Sequence, residues 1–282
     1  MNVLSLFAGI GGLDLGLERA GMTVVGQVEL DPFCRSVLER HWPDVPRHDD
    51  VRTAVAWWLG GTRPPVDVVC GGFPCQPVSA AGRRRAQADE RWLWPAAWAV
   101  ISDLRPRFAV LENVPGLLAR GMGDVLGDLS AIGYDAEWDC VPAAAVGAPH
   151  RRDRVFVVAY PSGQFGRLQP EPEPGSRGAS VAGDHGSNWA MADADSPGRW
   201  WPGLAEPRRH GSSIADIGRG RPRVVGPAVR PGDWWSAEPD VGRVAHGVPR
   251  RVDRLRALGN AVVPQVAQHV GELVMAAAHG DL

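Results

Sequence analysis

The chain opens on Val3-Leu4-Ser5-Leu6-Phe7, an apolar run that reads as a β-strand, and then turns through Ala8-Gly9-Ile10-Gly11-Gly12. Leu13 to Ala20 follows with apolar residues at helical spacing. Strand, glycine turn and helix in this order open a nucleotide-type βαβ unit, which commits the chain to an α/β sheet. Gly9 and Gly11 match the first two glycines of a GxGxxG loop, but Asp14 stands where the third belongs. As a dinucleotide fingerprint the loop is defective.

The next strand, Thr23 to Val28, ends in Glu29. An acid at the end of the second strand is placed to hold the two hydroxyls of a ribose. A solvated strand end is the competing reading of that residue taken alone. Asp31-Pro32 then starts a helix, with Asp31 as N-cap and Pro32 in the first helical position. His48-Asp49-Asp50-Val51 follows a short third strand, where an acid can accept a hydrogen bond from an adenine amino group or simply cap a turn.

A second strand-to-turn transition carries a thiol. Val66-Asp67-Val68-Val69-Cys70 reads as a buried parallel strand and runs into Gly71-Gly72-Phe73-Pro74-Cys75-Gln76-Pro77. The glycines allow a sharp turn and close approach of a ligand, and Pro74 and Pro77 fix φ on either side of Cys75. Open α/β sheets keep their chemistry at this end of their strands. A lone cysteine in such a turn is ordinarily structural; the company of Cys75 reverses that reading. Arg107 to Leu111 is a further strand, and Glu112 ends it. Arg152 and Arg154 lead into the strand Val155 to Ala159, and alternation would put their side chains on one face.

Composition excludes several classes. With 282 residues, 44% hydrophobic and 22% charged, the chain suits one large soluble domain or a domain plus a small one. No apolar run is long enough to span a membrane. The N-terminus lacks a basic lead-in and reads as a first strand instead of a signal peptide. Four cysteines without a CxxC pair suggest reduced thiols and a cytoplasmic location, and no zinc spacing is visible. Net charge is −2, and all 30 basic residues are Arg. Codon bias explains much of that preference. The arginines concentrate in Arg151–Arg154 and from Arg199 to Arg256, a distribution that suits a nucleic-acid face. From Pro161 to about Gly232 periodicity disappears among Pro, Gly, Ser and Arg, with tryptophan pairs at Trp200-Trp201 and Trp234-Trp235. A final helix starts at Pro264, with Val266, Val270, Leu273 and Val274 on one stripe.

Six blocks now stand in order: Phe7-Ala8-Gly9-Ile10-Gly11-Gly12, Val28-Glu29-Leu30-Asp31, Gly72-Phe73-Pro74-Cys75-Gln76-Pro77, Leu111-Glu112-Asn113-Val114, Pro149-His150-Arg151-Arg152-Asp153-Arg154 and Leu258-Gly259-Asn260-Ala261-Val262-Val263-Pro264. Together they resemble the ordered motifs of cytosine-5 DNA methyltransferases of bacterial or phage type. The resemblance covers roughly 1–160 and 250–282. It departs from the family pattern at His150, where Gln is usual.

The resemblance implies a Rossmann-like, S-adenosylmethionine-dependent methyltransferase fold with a small target-recognition region. Residues 1–160 would form the catalytic, cofactor-binding domain, 161–249 the variable recognition region, and 250–282 a segment returning to the catalytic domain. The cofactor would be S-adenosyl-L-methionine, with Phe7, Gly9, Ile10 and Gly11 lining its pocket and Glu29 on the ribose. Leu30 would pack on the adenine, and Asp50 with Val51 would flank its amino group. Pro74, Asn260 and Val262 would complete the site, and Trp94 falls where the family has an apolar cofactor contact. The absent third glycine is then expected, because this cofactor has no pyrophosphate to cradle.

The implied reaction is methylation of carbon-5 of a flipped cytosine in duplex DNA, through a covalent adduct with Cys75. Glu112 would contact the ring nitrogen and amino group, Arg154 the carbonyl oxygen, and Arg152 would support the loop or a phosphate. Gln76 and Ser79 to Arg85 would close over the DNA. No metal and no membrane enter this scheme. The expected partner of a monomeric enzyme is double-stranded DNA, with a cognate restriction endonuclease as a further candidate. Two alternatives stay open: the same chemistry on tRNA, and a cofactor-binding DNA-recognition protein without catalysis. The intact set of Cys75, Glu112 and Arg154 speaks against the second.

Overall fold

The computed structural model describes residues 1–74, 92–164 and 250–280. Cys75, Gln76, the arginines at 83–85 and nearly all of the expected recognition region therefore lie outside the described residues.

Among the described residues, seven strands form one sheet: β1 (Asn2–Leu6), β2 (Thr23–Val28), β3 (Arg47–His48), β4 (Val68–Gly71), β5 (Phe108–Asn113), β6 (Tyr134–Pro142) and β7 (Asp153–Pro161). Their order is β3-β2-β1-β4-β5-β7-β6. The first five run parallel, and β7 is antiparallel to both β5 and β6. Every residue of β4 and β5 is buried, as expected of central strands covered on both faces.

The helices are α1 (Gly12–Arg19), α2 (Pro32–His41), α3 (Ala54–Leu59), α4 (Trp94–Leu104), α5 (Gly116–Arg120), α6 (Met122–Ala131), α7 (Arg251–Asn260) and α8 (Pro264–His279). One core layer joins Trp58, Trp94, Ile101, Leu117 and Leu129 of α3 to α6 with Leu4, Leu6 and Leu111 of the sheet. The other joins Leu13 and Leu17 of α1 and Val266, Val270 and Val274 of α8 with Val3, Phe108 and Phe156. The result is the expected mixed sheet with helices on both faces.

The final helix lies against the first one. At Gly12 a Cβ would collide with the Val262 carbonyl, and at Gly16 with the Ala267 side chain. Small residues thus bring the two ends of the chain into backbone contact. The α8 stripe is buried at Val266, Val270 and Val274 as predicted, Leu273 is only half-buried, and Ala267, Gly271 and Ala277 widen the stripe.

Three local features go beyond the sequence reading. Helices α5 and α6 are parted at Gly121. There the Trp92 ring occupies the space of a side chain, 2.8 Å from where a Cβ would be. Arg251–Asn260 is a helix that periodicity did not disclose, because it buries Ala257 but leaves Val252, Leu255 and Leu258 exposed. Trp94 belongs to the core. It is 1% exposed, packs 5.2 Å from Phe73 and donates its indole N–H to Asp128 at 2.7 Å.

Candidate active site

The strand order places a switch point between β1 and β4, where chain connections leave toward opposite ends of the sheet. Ligand crevices open there, outside the carboxyl ends of the strands. The predicted residues of the parallel strands converge on this edge. Phe7, Gly9, Ile10 and Gly11 follow β1, Glu29 and Leu30 follow β2, Asp50 and Val51 follow β3, Pro74 follows β4, and Glu112 lies near the end of β5.

The glycine turn is held from beneath and from the side. Gly11 is the N-cap of α1 at φ 83°, a left-handed conformation, and the Trp42 ring fills the space a side chain would need. Phe7 also has positive φ, 52°. Glu29 clamps the turn: one carboxylate oxygen accepts from Gly9 N at 2.7 Å and the other from Asp31 N at 2.7 Å. Each oxygen keeps lone-pair capacity for another donor. Arg35 Nη1 holds the carbonyls of Glu29 and Leu30 at 3.1 and 3.2 Å. Leu30 is 66% exposed, an apolar side chain free to cover a flat ring. Asp31 caps α2 as expected, accepting from Phe33 N and Cys34 N. Asp50 accepts from Arg52 N and pairs with its guanidinium at 2.8 Å, which holds its carboxyl below the usual range.

Asp14 is fully buried, and sequence reasoning assigned it no role beyond a missing glycine. Its two oxygens accept from Ser5 Oγ at 2.5 Å and Gln27 Nε2 at 2.7 Å, tying α1 to β1 and β2. Burial pushes its carboxyl up to about 6, against the lowering effect of those two hydrogen bonds.

The second half of the site is an ion pair in an almost closed setting. Glu112 is 8% exposed, and its Oε1 accepts from Arg154 Nε at 2.8 Å. Burial raises the Glu112 carboxyl, and Arg154 and Arg152 pull it back only in part. Gly72 explains how the carboxylate fits: a Cβ there would lie 2.7 Å from Glu112 Oε2. Asn113 is a positioning contact that motif reading left unassigned. Its Nδ2 donates to Phe73 O at 2.9 Å and its Oδ1 accepts from Val114 N at 2.9 Å. Phe73 in turn is wedged against Trp92 and Trp94. The backbone leading into Pro74-Cys75 is therefore anchored on both sides.

Arg152 does not share the fate of Arg154. It precedes β7 with φ 37°, so the extended alternation expected of it does not apply. Its Nη2 donates to the carbonyls of Gly259 and Ala261, both at 2.7 Å. Asn260 ends α7, between these two carbonyls. A cavity of about 570 Å³ lies alongside, bordered by Ile10, Gly11, Gly12, Val262 and Arg152. It includes His150 but none of Glu29, Leu30, Asp50 or Glu112. The predicted cofactor residues thus fall on two sides of the glycine turn. The strand-end side offers an exposed apolar side chain and an oriented carboxylate, and the other side offers the cavity.

Known proteins now bear on this geometry. Residues 1–177 match the model of the C-5 cytosine-specific DNA methylase family. The chain belongs to that family. By class it is a DNA cytosine-5 methyltransferase. This methylase is 30% identical to Type II methyltransferase M2.BsuMI of Bacillus subtilis (strain 168), over 96% of this chain and 75% of that protein. It is 31% identical to Type II methyltransferase M.NaeI of Lentzea aerocolonigenes, over 98% of this chain and 75% of that protein. A solved structure described as a DNA modification methyltransferase encoded within a prophage (E. coli) is 30% identical, with a TM-score of 0.50. The alignment covers 57% of this chain and 47% of that one. Among the described residues no helix is long and apolar enough to cross a membrane, and no cluster of His, Cys, Asp and Glu could hold a metal ion.

Proposed function

We propose that this methylase transfers a methyl group from S-adenosylmethionine to carbon-5 of a cytosine flipped out of duplex DNA, through a transient bond to Cys75. The observation that carries the reading is the buried Glu112–Arg154 pair, packed against Gly72 three residues before Cys75. A carboxyl raised by burial beside a fixed guanidinium is a hydrogen-bonding template for one edge of a polar ring. Glu112 contacts the ring nitrogen and amino group, and Arg154 the carbonyl oxygen.

The residues at the ends of β1 to β3 fit the cofactor. Glu29 offers an oriented carboxylate for a diol and Leu30 an exposed apolar face for a purine. Bound there, the cofactor supplies an electrophilic methyl group on a sulfonium. The protein's part is to make carbon-5 nucleophilic. The Cys75 thiolate adds to carbon-6, and the electron pair of the 5,6 double bond shifts toward carbon-5 and the ring. Glu112 and Arg154 stabilise the negative charge that spreads into the ring. Carbon-5 then takes the methyl, gives up its proton to a base, and the thiolate leaves as the double bond re-forms. Among the described cysteines, burial pushes the thiols of Cys70 and Cys140 up and that of Cys34 up to about 12, away from the thiolate form. Extruding the base costs roughly a few kcal/mol. Arg83, Arg84 and Arg85 and the arginine-rich recognition region are the groups proposed to meet the phosphates. A restriction endonuclease of the same specificity is the proposed companion in the cell.

Labelled methyl transfer to unmethylated duplex DNA, with tRNA in parallel and bisulfite sequencing of the product, tests this reading. Label at one recurring cytosine context is expected. The Cys75→Ser variant should bind cofactor but transfer nothing. Turnover by that variant would overturn the covalent mechanism, and label in tRNA alone would overturn the substrate.

A further inference from the structure

Arg152 occupies a left-handed backbone conformation that a side chain of its size adopts at a cost. Such a conformation persists when the surroundings hold it. Here the hold is the guanidinium, which spans more than 100 residues of sequence to reach Gly259 O and Ala261 O. Those carbonyls belong to the last turn of α7 and its C-cap, where a helix leaves acceptors without internal partners. A cation at this end is also favoured by the helix dipole.

The segment gripped in this way borders the cavity beside the glycine turn and carries Asn260 and Val262, which the family resemblance assigns to the cofactor site. Immediately after it, the Val262 carbonyl lies against Gly12, the first residue of α1. From Pro264 onward, α8 is secured to α1 by small-residue contacts at Gly16 and Gly271. The α7–α8 turn is thus fixed downstream by packing, and Arg152 ties it to the entry of β7. Two residues further on, Arg154 holds Glu112. Arg152 also stands close enough to Glu112 to favour its carboxylate. One short segment therefore touches the proposed cytosine pocket and the cavity beside the glycine turn.

We propose that Arg152 is a positioning residue that latches the α7–α8 turn, with Asn260 and Val262, over the glycine turn and thereby sets cofactor retention, without contacting base or phosphate. This rests on the cofactor site proposed above. The test compares Arg152→Ala, Arg152→Lys and Arg154→Ala in the full chain. Calorimetric titration with S-adenosylmethionine, without DNA, should show affinity weakened about tenfold or more in Arg152→Ala, the scale of losing hydrogen bonds from a charged group. Arg152→Lys should fall between, because an ammonium lacks the planar fork. In turnover, the KM for cofactor should rise while kcat at saturating cofactor stays within about threefold. Arg154→Ala should do the reverse, losing kcat with cofactor affinity intact. Unchanged cofactor affinity in Arg152→Ala, or a kcat loss that saturating cofactor does not restore, overturns the latch.

Amide hydrogen exchange across residues 258–264 separates this proposal from the functional reading. Faster exchange there in Arg152→Ala supports the latch even if the wild-type chain binds no S-adenosylmethionine, an outcome that would sink the cofactor assignment instead. Unchanged exchange overturns the latch whatever the wild-type chain binds. If Arg152→Ala fails to fold, Arg152→Lys carries both measurements.

Discussion

Replacing Asp14 with Asn should remove a pH-dependent cost from the fold. Asp14 sits with no solvent exposure between β1, β2 and α1, and its carboxyl is raised from 3.8 to about 6, first of all by burial. The sign follows from linkage. Well below the unfolded value both states carry the proton, and Asp14 contributes no penalty. As pH rises toward 6, the unfolded chain releases the proton while the folded chain keeps it, so stability falls. Above the folded value the penalty is complete, at about 3 kcal/mol for a shift of this size. An Asn can keep both contacts, accepting from Gln27 through Oδ1 and donating to Ser5 Oγ through Nδ2. Any geometric cost of the Asn is independent of pH and cancels in a comparison across pH. Urea denaturation of both proteins at several pH values between about 4 and 7.5 reads the difference directly. The stability of Asp14→Asn relative to wild type should rise by about 2–2.5 kcal/mol over that interval, since part of the full penalty is already present at pH 4. A difference that stays flat would show that Asp14 is not a raised, buried acid, and the account of the glycine turn's support would fail with it.

The pair at Glu112 gives two further expectations. Gly72→Ala would place a methyl 2.7 Å from Glu112 Oε2, while Arg154 holds the other oxygen. The carboxylate must shift, and turnover should drop on the order of 100-fold, with about 1–3 kcal/mol of stability lost. Single-turnover methyl transfer and denaturation check this; wild-type kcat would refute it. Arg154→Ala removes the cation that opposes burial, so the Glu112 carboxyl should rise further. The variant's stability deficit should then be small in acid and grow with pH, to about 3 kcal/mol once Glu112 ionises. Urea titrations at pH 5 and 8 measure it, and a deficit larger in acid would contradict the sign.

Much of the site was readable from residue order, because it consists of local devices. A strand followed by Gly9, Gly11 and Gly12 must turn into a helix. An acid after β2 must lie at a strand end, and Asp31-Pro32 must start a helix. These follow from φ preferences, capping and periodicity within a few residues. The six ordered blocks added the chemistry. What stayed hidden depends on partners far apart in sequence. Nothing near Asp14 announces that Ser5 and Gln27 will close over it. Glycine at 72 makes sense only once Glu112, 40 residues later, arrives beside it on β5. Alternation predicted a shared face for Arg152 and Arg154, but a left-handed residue at 152 sent one guanidinium to Glu112 and the other to the α7–α8 turn. The sequence by itself determined the α/β plan and the strand-end placing of the candidate residues, because these rest on short-range sterics. Tertiary structure alone decided which groups share protons, which oxygens are already engaged and where the last helix returns, because burial and pairing are properties of segments that meet only in the folded chain.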